Sequence, residues 1–112
     1  MGDIKFDSAM VMTTCATDGD AERIAGVLLE GRLAACVQIL PIDSRYVWKG
    51  RIERGAEFLL LIKCAASNFG AVRDAILASH AYELPEIVQV PITDGSERCL
   101  AWIKDPFAGA DA

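Results

Sequence analysis

The sequence predicts an α+β domain in which two helices cover one face of an antiparallel sheet. Three observations support this fold class. Short apolar segments alternate with segments of helical periodicity, their order is βαββαβ followed by a short last helix, and one β-hairpin has unusually long arms.

The first part of the chain predicts a strand, a helix and a second strand. Residues 9–15 are short, apolar and rich in β-compatible side chains. Thr17 offers a helix-capping hydroxyl, and Gly31 is suited to end that helix. The apolar stripe of the helix consists of Ala21, Ile24, Ala25 and Leu28. Residues 35–40 form the second strand, which Pro41 is expected to stop or bend because proline lacks a backbone N–H.

The centre of the chain predicts a long hairpin. Its first arm is extended from Ser44 onward, and the Lys-Gly pair at residues 49–50 is a natural tip. The return arm covers residues 51–64, and its continuous apolar run at 58–62 is typical of a central strand buried on both faces. Gly55 lies where this arm is expected to bulge or bend.

The last part of the chain predicts a helix, a strand and a short final helix. Apolar residues at intervals of three and four predict a helix over 68–79, and residues 86–91 predict a fourth strand. A turn at 94–95 precedes the last helix, which ends before Pro106. With right-handed crossovers this order gives the split βαβ, or ferredoxin-like, arrangement.

Composition indicates one domain that does not function as a monomer. The 112 residues are enough for one core, and we expect a domain over 9–105 between tails at 1–8 and 106–112. Hydrophobic residues make up 53% of the chain and the mean hydropathy is +0.28. A small domain cannot bury so much apolar surface alone, so the surplus predicts a subunit interface.

Charge and hydropathy exclude several classes of partner. A net charge of −5 and a pI near 4.7, without a basic stripe, argue against nucleic acid. No apolar run reaches the length of a membrane span and no signal-peptide pattern is visible, so we expect a cytoplasmic protein. The four cysteines are widely spaced, which favours buried thiols over disulfides.

The candidate metal ligands are His80, Cys15 and Glu83. His80 is the only histidine and lies at a helix end, where it is either a metal ligand or a packed, cap-like residue. Cys15 ends a strand beside a loop, where a thiol reaches solvent. Glu83 offers oxygen ligands, with a solvated charge at a strand edge as the favoured alternative.

A second candidate site is a pocket between subunits. Aromatic and charged residues flank two chain reversals about thirty residues apart, and amphipathic rings suit an intersubunit groove. Lys63 follows five apolar residues and needs an acidic partner or a water-filled cleft. The predicted pocket consists of Trp48, Lys49, Lys63, Tyr82 and Glu86. No nucleophile–base pair is visible by spacing, so we do not expect an enzyme.

Five segments in order and spacing give the chain a resemblance to a known family. They are residues 33–37 (LAACV), 46–52 (YVWKGRI), 59–63 (LLLIK), 82–87 (YELPEI) and 100–103 (LAWI). On these segments the chain resembles the CutA family of divalent-cation tolerance proteins. The resemblance implies a trimer of ferredoxin-like subunits, akin to the PII signalling proteins, with interlocking hairpins and a link to copper and other divalent metals.

The chain departs from the family pattern at the expected metal ligands. The resemblance puts a metal-linked cysteine at Thr13, whereas this chain has Cys15 two residues later. In a continuing strand both positions share a face, so Cys15 could substitute. Ser79 stands where some members carry a second histidine, and Ala81 stands where proline is common.

Two functions follow from these features as hypotheses. The first is a cytoplasmic homotrimer that binds copper or another divalent cation near His80, with Cys15 and Glu83 as co-ligands. The second is a PII-like signalling module that binds a small anionic metabolite between subunits, held by Lys49, Arg51 and Lys63. A scaffold without a ligand is a third reading. The identity of any protein partner is not encoded in the sequence.

Overall fold

A computed structural model describes residues 6–109 of the chain. Its elements are listed here in chain order. They are β1 (Ser8–Cys15), α1 (Asp18–Glu30), β2 (Cys36–Trp48), β3 (Arg51–Ala65), a 3-10 turn (Ala66–Asn68), α2 (Phe69–Ser79), β4 (Val88–Ile92) and α3 (Glu97–Lys104). The predicted order βαββαβ with a last helix is confirmed. The predicted tails fall partly on residues 1–5 and 110–112, which lie outside the described residues.

The four strands form one antiparallel sheet in the order β2-β3-β1-β4. The central strands β1 and β3 pair from Ser8 with Ala65 to Cys15 with Phe58. β2 and β3 continue pairing beyond this point to Trp48 and Arg51, so the outer part of the hairpin has no third strand beside it. This is the predicted α+β, ferredoxin-like arrangement with a long hairpin.

One face of the sheet packs against α1 and α2. Alternate residues of β1 and β3 are buried there, including Val11 and Ile62, which face each other across the strands. The helices contribute the buried residues Ile24, Leu28, Val72 and Ile76 to the same core. Thr17 caps α1 as predicted, because its hydroxyl accepts a hydrogen bond from the Asp20 N–H at 3.1 Å.

The opposite face of the sheet is only half covered. Met10, Met12, Leu59 and Leu61 are partly buried, whereas Leu40, Val88 and Val90 are exposed. The expectation that residues 58–62 are buried on both faces is therefore wrong for a single chain. The apolar side chains on this face remain available to another surface.

Two predictions about the hairpin are wrong. Pro41 does not end the second strand; β2 runs through it, and Pro41 pairs in register with Phe58. An edge strand tolerates proline because one row of its N–H groups has no partner within the sheet. Gly55 causes no bulge, since it pairs with Ser44 in an unbroken register. The tip is as predicted: Lys49 and Gly50 both have positive φ, 50° and 77°, as a type I′ turn requires.

The C-terminal part of the described chain packs back on the domain. Ile103 of α3 is buried, and α3 contacts β3 and β1. The Arg32 guanidinium lies 4.7 Å from the centroid of the Phe107 ring. None of the helices between residues 6 and 109 combines the length and the apolarity that crossing a bilayer requires.

The cysteines differ in exposure. Cys15 and Cys64 are buried, Cys36 is intermediate and Cys99 is exposed. The prediction of a buried thiol is confirmed for Cys64 and is wrong for Cys99, which lies on the outer side of the short helix α3.

Candidate functional site

His80 forms the C-cap of α2, where the chain leaves the helix and becomes extended. Its φ and ψ are −84° and 141°, and its backbone N–H donates to the Ile76 carbonyl at 2.9 Å. The preceding Ser79 carbonyl accepts a hydrogen bond from the Arg23 guanidinium at 2.8 Å. Arg23 is also paired with Asp20, so α1 anchors the end of α2 from which His80 projects.

Both ring nitrogens of His80 have partners. Nε2 lies 2.7 Å from the Thr14 carbonyl oxygen, and Nδ1 accepts a hydrogen bond from the Tyr82 backbone N–H at 3.1 Å. A carbonyl oxygen accepts only and a backbone N–H donates only. The contacts therefore assign the proton of the neutral ring to Nε2.

Cys15 supplies the second soft donor of the site. It is the last residue of β1, is fully buried, and places its Sγ 3.9 Å from His80 Nε2. The pKa of the Cys15 thiol is raised to about 11, mainly by burial. The nearby Asp20 carboxylate also raises this pKa, by more than the Arg23 guanidinium lowers it. The expectation of a solvent-facing thiol is wrong, because the segment around His80 and Tyr82 lies over this end of the strand.

Tyr82 links this pair to the long hairpin. Its phenol donates to Glu57 Oε2 at 2.7 Å, and its ring centroid lies 4.8 Å from that of His80. Burial and the hydrogen bond to Glu57 raise the pKa of the Tyr82 phenol, so the hydroxyl stays protonated and remains a donor.

A cleft of about 830 Å³ opens beside this network, between the hairpin and the segment before β4. Four predicted site residues line it: Trp48, Tyr82, Glu83 and Glu86. The rest of its lining consists of Met12, Thr14, Ile42, Asp43, Ser44, Arg45, Tyr46, Val47, Glu57, Leu59 and Leu84. The structure thus brings together the aromatic and acidic members of the predicted pocket.

The two predicted lysines do not line this cleft within one chain. Lys49 lies at the hairpin tip, with its Nζ 5.7 Å from the centroid of the Trp48 ring. Lys63 pairs with Met10 and Cys36, four residues along β3 from Leu59, which is roughly 13 Å at the rise of a strand. The expected grouping of Lys63 with Tyr82 and Glu86 is therefore not formed within a single subunit.

Glu57 is a cleft residue that the sequence analysis did not single out. Glu57 precedes the apolar run of β3, and strand alternation places it on the same face as Leu59. That pattern gives its face but not its partner, since Tyr82 is 25 residues away in the sequence.

The donors present fit a metal ion in part. Consider a zinc ion bound to both Cys15 Sγ and His80 Nε2 at the usual Zn–S and Zn–N bond lengths. An Sγ···Nε2 distance of about 3.6 Å then gives a tetrahedral S–Zn–N angle, and a distance of about 4.3 Å gives a linear one. The observed 3.9 Å lies between these values. Among residues 6–109, however, no three His, Cys, Asp or Glu side chains converge as a metal cluster. Glu83 is exposed and belongs to the cleft, so it does not complete a site with Cys15 and His80 in one chain.

Comparison with known proteins shows the family of the chain. A family model described as CutA1 divalent ion tolerance protein matches residues 9–106. The chain is 45% identical over 86 residues to the divalent-cation tolerance protein CutA of Archaeoglobus fulgidus, covering 77% of this chain and 84% of that protein. It is 37% identical over 99 residues to the chloroplastic Protein CutA 1 of rice, covering 88% of this chain but only 56% of that protein.

Solved structures agree with this assignment. CutA1 from the psychrotrophic bacterium Shewanella sp. SIB1 matches with a TM-score of 0.86 and 37% identity, covering 90% of this chain and 95% of that one. The periplasmic divalent cation tolerance protein CutA of Archaeoglobus fulgidus matches with a TM-score of 0.83 and 42% identity, covering 86% and 94%. The chain therefore belongs to the CutA1 divalent ion tolerance protein family.

Proposed function

We propose that the chain contributes to divalent-cation tolerance as a homotrimer that binds metal ions, copper among them, at the Cys15–His80 pair. The observation that supports this most directly is the 3.9 Å approach of a thiol to an imidazole nitrogen at one end of the sheet. Thiolate and imidazole are the protein ligands that Cu(I) and Zn(II) share. The family assignment supplies the link to divalent cations.

Binding at this pair is expected to be weak. The thiol is protonated because burial raises the pKa of Cys15 to about 11, and the proton on Nε2 is donated to Thr14. A metal must displace the thiol proton, and the ring proton must move from Nε2 to Nδ1, which breaks that hydrogen bond. With two protein ligands from one chain, further positions must be filled by water or by a neighbouring subunit.

Unpaired edges and exposed apolar side chains support the proposed trimer. β2 and β4 are the two edge strands, and the outer arms of the hairpin pair only with each other. Val47 and Ile52 face each other there with 73% and 84% of their surfaces exposed. Such a surface is typical of a subunit contact.

The charges of the cleft argue against the alternative of an anion-binding signalling module. Its lining contains four carboxylates, Asp43, Glu57, Glu83 and Glu86, against the single guanidinium of Arg45. Such a balance repels an anionic metabolite unless a neighbouring subunit contributes cations. We therefore favour metal binding over anion binding. We also propose that the chain has no catalytic role and that it is located in the cytoplasm.

The experiment that tests the proposal is equilibrium binding of Cu(I), Cu(II) and Zn(II) to the reduced protein, with native mass measured in the same samples. We expect a trimer with about one ion per subunit in the wild type and loss of that ion in His80→Ala. The half-buried Cys36, which lies on β2, provides a matched control, and Cys36→Ser is expected to bind as the wild type does. Binding that is indifferent to His80→Ala would refute the proposed site.

A further inference from the structure

The contacts of His80 place it in a state that does not accept a metal at Nε2. Nε2 donates its proton to the Thr14 carbonyl, and the lone pair of Nδ1 faces the Tyr82 N–H. A metal at Nε2 needs the lone pair there, so the ring proton would have to move to Nδ1. At Nδ1 it would meet the Tyr82 N–H, and two donors would face each other.

Tyr82 is held in this position from the sheet. Its phenol is hydrogen-bonded at 2.7 Å to Glu57 on β3, and its ring packs against the imidazole. The segment that carries Tyr82 has no regular secondary structure between His80 and Val88. The Tyr82–Glu57 hydrogen bond thus ties the donor that faces Nδ1 to a rigid strand.

We propose that Tyr82 and Glu57 are positioning residues that hold His80 in its Nε2–H tautomer and keep the Cys15–His80 pair closed to metal until the segment after α2 moves. Loading of the pair then requires Tyr82 to release Nδ1, after which the imidazole can turn its Nε2 lone pair toward Sγ. The metal part of this inference rests on the proposed function; the assignment of the tautomer does not.

The proposal is tested on the single imidazole of the 112-residue chain. A long-range ¹H–¹⁵N correlation spectrum at one fixed pH distinguishes the protonated ring nitrogen from the unprotonated one, and His80 is the only histidine, so the signals need no assignment. We expect the wild type to show only the Nε2–H form. In Tyr82→Phe and Glu57→Leu we expect the Nδ1–H form to become detectable. Glu57→Gln retains an acceptor for the phenol and is expected to keep the wild-type spectrum.

The second readout is Zn(II) affinity of the same variants. Removal of one hydrogen bond shifts an equilibrium by about fivefold, so Tyr82→Phe and Glu57→Leu are expected to bind Zn(II) about fivefold more tightly. Tyr46→Phe is the matched control, because it removes a hydroxyl from the same cleft and leaves the hydrogen bonds of Tyr82 to His80 and Glu57 in place. It is expected to change neither readout.

The two readouts separate the inference from the proposed function. An Nδ1–H form in the wild type, or an unchanged tautomer in both Tyr82→Phe and Glu57→Leu, would overturn the inference. A tautomer that responds to these variants would support the positioning role even if no variant bound Zn(II), and that result would refute only the proposed metal site.

Discussion

The thiol of Cys15 and the imidazole of His80 meet at one end of the sheet, with Sγ 3.9 Å from Nε2, although 65 residues separate them in the sequence. Cys15 is the last residue of β1, and His80 is the C-cap residue of α2. His80 Nε2 donates to the Thr14 carbonyl of β1, and Arg23 of α1 holds the adjacent Ser79 carbonyl, so the two elements meet through defined contacts. The proposed metal chemistry depends on this meeting point.

The buried hydroxyl of Thr13 offers a first prediction. Its Oγ1 has no hydrogen-bond partner among the described residues, and the side chain is fully buried. An unsatisfied buried polar group is destabilising, so Thr13→Val is expected to raise the free energy of unfolding by about 1 kcal/mol. Denaturant unfolding at one fixed protein concentration measures this change. The control is Thr93→Val, because Thr93 is exposed. An unchanged or lower stability of Thr13→Val would contradict the conclusion that the buried Thr13 hydroxyl is destabilising.

The hairpin tip offers a second prediction. Lys49 adopts a φ of 50°, which L-residues other than asparagine and aspartate adopt at a cost. Since Asn-Gly is the preferred type I′ pair, Lys49→Asn is expected to stabilise the protein by roughly 0.5–1 kcal/mol. Gly50→Ala is expected to destabilise it by about 1 kcal/mol, because Gly50 also has a positive φ. Opposite signs in the unfolding free energies of the two variants are the expected result, and equal signs would contradict the turn type.

The thiol of Cys64 leads to a prediction about alkaline pH. Burial raises its pKa from 9.0 to about 11. The unfolded chain therefore loses this proton at a lower pH than the folded chain does, and stability falls as pH rises from about 9 to about 11. The stability conferred by the protonated thiol is fully present below pH 9. Denaturant unfolding measured from pH 8 to 11 should show a smaller alkaline loss of stability in Cys64→Ala than in the wild type. Cys99→Ala is the control, because Cys99 is exposed, and it should show the wild-type loss. Identical pH profiles for Cys64→Ala and the wild type would refute this role of the Cys64 thiol.

The exposed end of the hairpin leads to a prediction about assembly. Ile52 is 84% exposed in a single chain, and its proposed role is in a subunit contact. Ile52→Asp would place a charge in that contact and is expected to lower the native mass from trimer to smaller species. Leu77→Asp on α2 is the control, because Leu77 is also exposed, at 53%, but lies on a helix away from the hairpin. A trimer that is unaffected by Ile52→Asp would contradict the proposed role of the hairpin.

Periodicity predicts the elements that bury one apolar face, such as α1 and α2. The helix face of α2 and the cap residue Thr17 were predictable, since both depend on neighbours within a few residues. The prediction at Pro41 is wrong because a strand tolerates proline when it lies at the sheet edge, and the edge position of β2 is a property of the whole sheet.

The site was less predictable than the fold. The sequence favoured Cys15 and His80 as candidates by residue type, but the hydrogen bond that fixes the His80 proton involves the backbone of Thr14, which has no sequence signature. The partnership of Tyr82 with Glu57 likewise arises only when the segment after α2 folds over β3. Glu83 has the carboxylate expected of a metal ligand, but it lines the cleft and does not join Cys15 and His80.

The most direct test of the metal site is X-ray absorption spectroscopy of the reduced protein loaded with one Cu(I) or Zn(II) per subunit. We expect one sulfur scatterer and one imidazole scatterer per metal in the wild type. Cys15→Ser should lose the sulfur and His80→Ala the imidazole. A wild-type spectrum without sulfur, or one that Cys15→Ser leaves unchanged, would contradict metal binding at the Cys15–His80 pair.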